Sequence, residues 1–168
     1  MTMRKNFFTV FLLLILLAPL NADARYTGDV AGWIPWWTEE DELNEVRKKI
    51  YEADFIYPFI YEIEDGEIVA KADIEDGEWE DLIDEARHEN VDIIPTIAWF
   101  DGPEIHETLS DRSKRRALVR DIEELVDDND FDGINIDFEQ KQARTIDYFS
   151  DFLEELQDEL GREELTCT

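Results

Sequence analysis

The residues with the clearest chemical pattern lie at 131–140, which read FDGINIDFEQ. Side chains of a β-strand point alternately to opposite faces, so a strand here would place Asn135, Asp137 and Glu139 on one face and apolar residues on the other. Carboxylates are rarely buried without a partner, so the polar face must line a wet or functional cavity. One carboxylate beside another can hold a proton at neutral pH and deliver it to a substrate.

The stretch resembles the D-x-x-D-x-D-x-E signature of glycoside hydrolase family 18, which comprises the chitinases and related N-acetylglucosaminidases. The matching residues are Asp132, Asn135, Asp137 and Glu139, with Asn135 in place of the second Asp. The sequence of residues 132–139 is most similar to the corresponding stretch in the branch of the family that acts on peptidoglycan and spore cortex. In the family this signature is the fourth strand of a (β/α)8 TIM barrel, which implies an α/β fold.

The resemblance implies a role for each signature residue. Glu139 would be the general acid that protonates the departing glycosidic oxygen and later activates water. Asp137 would orient the 2-acetamido group of the substrate, which is the nucleophile in this family, and Asn135 is expected to hold Asp137 by a hydrogen bond. Asp132 has the opposite strand parity and is expected to be structural, while Gly133 is expected to permit close packing.

Aromatic residues near predicted strand ends are candidates for stacking on sugar rings, since ring faces suit the apolar C–H surfaces of sugars. We expect this role for Trp37, Tyr61 and Trp99. The S-x-G-G motif of many chitinases is absent, and residues 96–99 read TIAW instead, which favours a cell-wall or other N-acetylglucosaminidase. The expected substrate is an N-acetylated polysaccharide, either peptidoglycan or chitin-like, hydrolysed with retention, and no cofactor or metal ion is expected.

The elements that must position these residues alternate along the chain. Apolar runs predict strands at 29–37, 55–63 and 91–100, before the signature strand. Apolar residues at helical spacing predict a helix capped by Thr38 and further helices over 79–86, 113–127 and 145–160. Residues 165–168 are predicted to open a fifth strand. This order predicts a parallel sheet that corresponds to about four strand-helix units of a barrel.

Prolines and glycines predict local irregularities in these elements. Pro58 predicts an irregular strand end, because proline cannot donate a hydrogen bond inside a sheet. Pro95 is expected to interrupt the third strand, and residues 101–103 (Asp-Gly-Pro) are predicted to form a loop. Residues 65–66 (Asp-Gly) have the chemistry of a turn.

Length and the first 24 residues predict the domain organisation. A complete barrel needs about 250 residues, whereas this chain has 168, so residues 25–168 are expected to be a truncated family 18 barrel domain. Residues 1–24 have the parts of a secretory signal: Arg4 and Lys5, an apolar run over 7–20, and Ala-Asp-Ala at 22–24. The run is shorter than the roughly 20 residues that span a bilayer. We expect a secreted or cell-wall protein with no membrane contact after cleavage.

Charge narrows the range of partners. The 44 acidic and 16 basic residues give a formal net charge of −28, which argues against nucleic acids and anionic membranes as partners. The acidic residues are dispersed along the chain, a pattern typical of a solvated surface suited to high salt.

Two other functions remain open at this stage. Residues 128–139 also satisfy the calcium-loop pattern D-x-[DN]-x-[DN]-G-x5-E, although the alternation within them is typical of a strand and no second copy exists. The other alternative is a chitinase-like sugar-binding module without turnover. Retention of Glu139 favours the enzyme. His88 and His106 are isolated, without metal-ligand spacing.

Overall fold

The computed structural model describes residues 28–168, so the predicted signal segment at 1–24 lies outside the described residues. The strands are β1 (Ala31–Pro35), β2 (Phe55–Glu64), β3 (Glu67–Ala70), β4 (Asp92–Ile93), β5 (Thr96–Trp99), β6 (Gly133–Phe138) and β7 (Glu164–Cys167). The α-helices are α1 (Glu40–Arg47), α2 (Gly77–Glu89), α3 (Gly102–Ser110), α4 (Arg112–Asp128) and α5 (Ile146–Leu160). Short 3-10 turns lie at Ile50–Glu52 and Ala143–Thr145.

The described strands form one sheet in the spatial order β1-β2-β5-β6-β7, and neighbours in this order are parallel. β4 pairs with the start of β2, and β3 folds back antiparallel along its end. Helices connect the parallel strands, as a parallel crossover requires. The structure therefore confirms the predicted α/β fold with a parallel sheet, the interruption of the third strand at Pro95 and the strand at the end of the chain.

The apolar core lies between the sheet and the helices. Ile97, Ile136 and Phe138 are each at most 1% exposed. Phe138 stacks on Phe152 of α5 with ring centroids 5.4 Å apart. Burial of one such aromatic side chain contributes about 2 to 3 kcal/mol. The helices thus cover the apolar face of β6, and the opposite face, which we call the inner face, carries the polar residues of the signature.

Three local predictions are wrong. Pro58 does not end a strand but lies inside β2, opposite the break between β4 and β5, where a residue without an N–H group is tolerated. The first helix is capped by Glu39, while the hydroxyl of Thr38 donates to the carbonyl of Pro35 at 2.7 Å. The segment predicted as a loop at 101–103 begins α3, where Asp101 is the N-cap residue.

The sequence pattern missed two short elements, helix α3 and strand β3. In α3, the Asp101 carboxylate accepts a hydrogen bond from the N–H of Glu104 at 2.9 Å, and Pro103 suits a first turn whose N–H groups have no partner within the helix. The predicted turn at Asp65 and Gly66 is present, and both residues have positive φ. It connects β2 to β3, a strand of only four residues.

Candidate active site

Strand β6 carries the signature and presents its polar residues on the inner face. Asn135 and Asp137 pair in register with Thr96 and Ala98 of β5, whereas Phe138 pairs with a core residue. Asn135 is only 1% exposed, and Asp137 is half-buried. Glu139 directly follows the strand and is exposed, at the edge where the carboxyl ends of the parallel strands meet. In a barrel this edge is the active-site face.

Asn135 is held by three hydroxyl groups. Its amide nitrogen donates to Thr96 at 3.1 Å and to Thr168 at 3.0 Å, and its oxygen accepts from the Thr166 hydroxyl at 2.9 Å. In the described part of the chain, Asn135 makes no hydrogen bond to Asp137, so the expectation that it holds Asp137 is wrong. Strand parity gives the reason: Asn135 and Asp137 share a face but are two residues apart, and Asn135 reaches the neighbouring strands instead.

The electrostatics of the site centre on Asp137. Burial raises the pKa of the Asp137 carboxyl, and the negative charge of Glu139 raises it further, against the opposing charge of Lys141. The Lys141 ammonium donates to the carbonyl of Phe138 and lies 4.6 Å from the centroid of the Phe149 ring. Sequence reasoning missed Lys141, although a cation two residues after the acid was a visible signal.

Asp132 and Gly133 lie at the opposite end of β6 from Glu139. The Asp132 carboxylate accepts a hydrogen bond from the N–H of Ile93 at 2.8 Å, and its own N–H donates to the Ile93 carbonyl at 3.0 Å. A Cβ atom on Gly133 would lie 2.1 Å from the carbonyl oxygen of Glu164, so only glycine allows β7 this close. Both residues therefore connect the start of β6 to its neighbours.

The calcium-loop alternative at residues 128–139 is wrong, because its last six residues before Glu139 form the extended strand β6. The six residues of β6 separate Asp132, the fifth position of the pattern, from Glu139, its last position, and seven steps of 3.3 Å place the two about 23 Å apart. A calcium loop instead brings the ligands at these two positions onto one ion. The described residues contain no group of three or more His, Cys, Asp or Glu side chains placed to hold a metal ion.

The aromatic candidates divide into one exposed residue and two buried ones. Trp37 is 53% exposed and forms an exposed aromatic cluster with Trp33 and Trp36, which are 50% and 36% exposed. Trp33 and Trp37 both contact the ring of Phe59, at centroid distances of 5.4 and 5.6 Å. The exposed cluster extends from the middle of β1 to the residues just after its carboxyl end, and its rings are open to a ligand.

Tyr61 and Trp99 correct the predicted set of stacking residues. Trp99 is 1% exposed because it pairs with Phe138 and lies on the helix-facing side, where its indole N–H donates to Glu104 at 3.0 Å. Tyr61 is 5% exposed, since a register shift after Phe59 pairs it with the core residue Ile97. Burial raises the pKa of Tyr61 to about 12. Neither ring is available to a sugar.

The end of β2 adds a carboxylate that sequence reasoning missed. Glu62 pairs with Ala98, which in turn pairs with Asp137, so the two acids occupy one level of the sheet with one strand between them. Lys71 lies 3.5 Å from Glu62, 2.7 Å from Glu64 and 5.6 Å from the ring centroid of Trp36. The signal was an acid at the end of a predicted strand, but only the register shows that it faces the site.

The chain has the architecture of a partial (β/α)8 barrel. Its parallel sheet has helical crossovers, and a pair of carboxylates lies at the end of an inner strand. Residues 30–168 match the family model described as Glycosyl hydrolases family 18. The chain belongs to this family.

Several solved structures share this fold. A class V chitinase from Pseudomonas fluorescens Pf-5 superposes with a TM-score of 0.74 at 19% identity, over 83% of this chain and 44% of that one. The spore cortex-lytic enzyme SleL of Bacillus megaterium QM B1551 gives a TM-score of 0.69 at 18% identity, over 83% of this chain and 33% of that one. These likenesses establish the fold.

A sequence relative is the Bacillus subtilis (strain 168) protein named "Putative sporulation-specific glycosylase YdhD". It is 37% identical over 65 residues, which are 39% of this chain and 16% of that protein. The chain therefore spans less than half the length of each of these three relatives. In the described residues, no helix is long and apolar enough to cross a membrane.

Proposed function

We propose that the protein is a glycosidase that hydrolyses an N-acetylglucosamine-containing polysaccharide, peptidoglycan or chitin-like, with retention of configuration. Family membership supports the reaction class. The observation that carries the proposal is the pair formed by Glu139, exposed at the end of β6, and Asp137, half-buried on the inner face beside it. One carboxyl group is open to a substrate oxygen, and the other has a raised pKa because of burial.

The proposed mechanism uses these two groups in sequence. Glu139 gives its proton to the glycosidic oxygen while the substrate's acetamido oxygen attacks the anomeric carbon, so that the leaving group departs as an alcohol. Asp137 accepts the acetamido N–H and stabilises the positive charge of the resulting oxazolinium ion. Glu139, now a carboxylate, takes a proton from water, which attacks the anomeric carbon and reopens the ring.

The exposed aromatic cluster supplies the binding surface. Trp33 and Trp37 are exposed and lie against Phe59, which pairs with Thr96 on the side of the sheet that carries Asp137. Sugar rings stack on exposed aromatic rings through their C–H bonds. A single exposed ring contributes less than a set, because each sugar of a polymer needs its own platform. The three tryptophans therefore support a polymeric substrate.

The test is release of the chromophore from an aryl glycoside of an N-acetylglucosamine oligosaccharide by this chain. Glu139→Gln should reduce kcat by at least about 100-fold. The matched control is Glu159→Gln, an exposed acid on α5, which should leave kcat unchanged. Full activity in Glu139→Gln would contradict the mechanism. Oligosaccharide binding without any hydrolysis would instead support the non-catalytic sugar-binding module.

Substrate preference can be tested in the same preparation. The names of the relatives include a chitinase and a spore cortex-lytic enzyme, so colloidal chitin and purified cortex peptidoglycan are the two polymers to compare. We propose peptidoglycan as the better substrate, because the sequence at residues 132–139 is most similar to the cortex-acting branch. Faster release of reducing ends from chitin would contradict this preference.

We also propose that residues 1–24 direct export, on the basis of their charged start, apolar run and Ala-Asp-Ala end. The test is expression of the whole sequence in a bacterial host, followed by N-terminal sequencing of the protein in the medium and cell wall. A mature protein that begins at Arg25 would support the proposal. Full-length protein retained inside the cell would contradict it.

A further inference from the structure

Gly102, the first residue of α3, lies against the backbone of Gln140, the residue that follows Glu139. A Cβ atom built on Gly102 would lie 2.2 Å from the Gln140 carbonyl oxygen and 3.1 Å from its carbonyl carbon. Atoms in a packed interior do not approach this closely, and neither backbone atom can yield as a flexible side chain would. Helix α3 therefore meets the segment after β6 at a distance that only glycine permits.

The segment that Gly102 touches is conformationally strained. Gln140 has a φ of 55°, in the left-handed region that residues with a Cβ rarely adopt. Such a conformation persists only where the surroundings hold it. On one side, the N–H of Glu139 donates to the carbonyl of Trp99 at 2.8 Å, and on the other the Lys141 ammonium donates to the carbonyl of Phe138. Gly102 supplies a third restraint, on Gln140 itself.

The first turn of α3 is fixed firmly enough to act as that restraint. The Asp101 carboxylate caps it through the N–H of Glu104 at 2.9 Å, and the side chain of Glu104 accepts from the Trp99 indole at 3.0 Å. Trp99 in turn packs edge to face on Phe138 with centroids 5.3 Å apart. The turn is thus tied to the ends of both β5 and β6, so displacement by a clash would fall on the exposed Gln140 rather than on α3.

We propose that Gly102 is a positioning residue for Glu139: its missing side chain lets α3 seat the Gln140 peptide and so fixes the backbone that carries the acid. The inference rests on the proposed function for the role of Glu139, and Gly102 itself touches no substrate. A general acid must come within about 2.6 to 3.2 Å of the oxygen that it protonates. A shift of about 1 Å in such a group can cost 100-fold in rate.

The variants are Gly102→Ala and the double variant Gly102→Ala with Gln140→Gly. The control is Gly32→Ala, whose new methyl would meet its nearest atom, Ile56 Cγ2, at an ordinary 3.7 Å. Gly102→Ala should lower kcat by about 10- to 100-fold with little change in KM. The double variant should recover much of this loss, because glycine at 140 adopts positive φ freely and lets the carbonyl move. Gly32→Ala should behave as the unaltered chain.

Leaving-group dependence separates a displaced acid from general loss of structure. The dinitrophenolate leaving group departs with little protonation, whereas departure of the less acidic methylumbelliferone depends more on protonation by the general acid. Gly102→Ala should therefore lose more activity on the methylumbelliferyl substrate, and the double variant should restore the ratio. An equal loss on both substrates would overturn the positioning role.

A measurement without substrate tests the contact between Gly102 and Gln140 separately from the proposed function. Amide hydrogen exchange of Glu139, followed by NMR, should be faster in Gly102→Ala than in the unaltered chain and unchanged in Gly32→Ala. Unchanged exchange at Glu139 in Gly102→Ala would overturn the inference whatever the activity. If the unaltered chain hydrolyses none of the substrates but the Glu139 amide exchanges faster in Gly102→Ala, the proposed function fails and the positioning contact stands.

Discussion

The amide nitrogen of Asn135 lies 3.1 Å from the hydroxyl of Thr96, and this bond joins the inner faces of β6 and β5. The same amide donates to Thr168 and accepts from Thr166 on the other side, so one side chain connects three adjacent chain segments. Asn135 is neutral, and it therefore links the strands without adding a third negative charge beside Asp137 and Glu139. Such a network stabilises a buried polar layer only when its members are satisfied.

Asn135→Ala should therefore lower the free energy of unfolding by about 2 kcal/mol, because three hydroxyl groups lose a partner and a cavity remains. Urea unfolding measures the change. The control is Asn44→Ala on α1, where the side-chain amide donates to the Glu40 carbonyl at 3.0 Å in an exposed hydrogen bond, with an expected loss below about 0.5 kcal/mol. Equal losses in the two variants would show that the hydroxyl network contributes nothing specific.

Asp137→Asn should stabilise the fold at neutral pH while reducing activity. Burial raises the folded-state pKa of Asp137, so the folded protein binds this proton more tightly than the unfolded chain does. Ionisation of Asp137 therefore lowers the free energy of unfolding as pH rises from about 3.9, the ordinary Asp pKa, to the raised folded-state pKa. Above that pKa the loss of stability stays constant.

Measurement of unfolding between pH 3 and 8 checks this sign. The stability of Asp137→Asn minus that of the unaltered chain should increase with pH and then level off. The change should stay below about 1 kcal/mol, since solvent screens a half-exposed carboxyl. A difference that falls with rising pH would contradict the burial argument. Glu159→Gln, an exposed acid on α5, is the control.

The sequence predicted the alternation in β6 and the succession of strands and helices along the chain, because both depend on local apolar periodicity. It could not predict which aromatic rings are exposed. Trp99 and Trp37 both follow apolar runs, yet Trp99 lies under a helix and Trp37 is open to solvent. That difference depends on the register between strands, as the shift that turns Tyr61 into the core shows.

Helix α3 was missed for a different reason. Its start, Asp-Gly-Pro at 101–103, has the composition of a turn, and a cap followed by proline has the same composition. The helix is only nine residues long, too short for a clear periodic pattern. Contacts distant in sequence decide its place, including the approach of Gly102 to Gln140. Residues that bring the site together in this way have no signal in a single sequence.

Arg115 joins the three consecutive helices α3, α4 and α5, and its side chain is 7% exposed. It donates to Glu155 through two nitrogens at 3.2 and 3.1 Å and to the Leu109 carbonyl at 2.8 Å. Arg115→Ala should lower the free energy of unfolding by about 3 kcal/mol, because it leaves a partly buried carboxylate and a carbonyl without a donor.

The neighbouring residue provides the matched control for this helix junction. Arg116 is 54% exposed on its side-chain surface and approaches the same Glu155 at 3.9 Å, so Arg116→Ala should cost below about 0.5 kcal/mol. The hydrogen bond from Arg115 lowers the pKa of Glu155. The stability that this pair contributes is therefore present above the ordinary carboxyl pKa and is lost as pH falls through the lowered pKa. The difference in free energy of unfolding between the unaltered chain and Arg115→Ala should therefore decrease at acidic pH. A difference that is constant with pH would exclude the ion pair as its source.

Gly133→Ala should separate β7 from β6. The new Cβ would lie 2.1 Å from the carbonyl oxygen of Glu164 and 2.7 Å from its nitrogen, and both are backbone atoms. The adjoining hydrogen bond, from the Glu164 N–H to the Asp132 carbonyl at 2.9 Å, would break with the displacement. The expected loss is about 2 to 3 kcal/mol in urea unfolding, the range of an overpacked core.

Hydrogen exchange distinguishes separation of the strands from a general loss of stability. In Gly133→Ala the amides of Glu164 and Thr168 should exchange faster than those of β5, because the N–H of Thr168 donates to Ile136 of β6. Gly32→Ala is again the control, since its methyl would have ordinary contacts. Uniform acceleration across the sheet would contradict the local mechanism. Because Thr166 and Thr168 also hold Asn135, separation of β7 should reach the polar layer of the site even though Gly133 lies at the far end of β6 from Glu139.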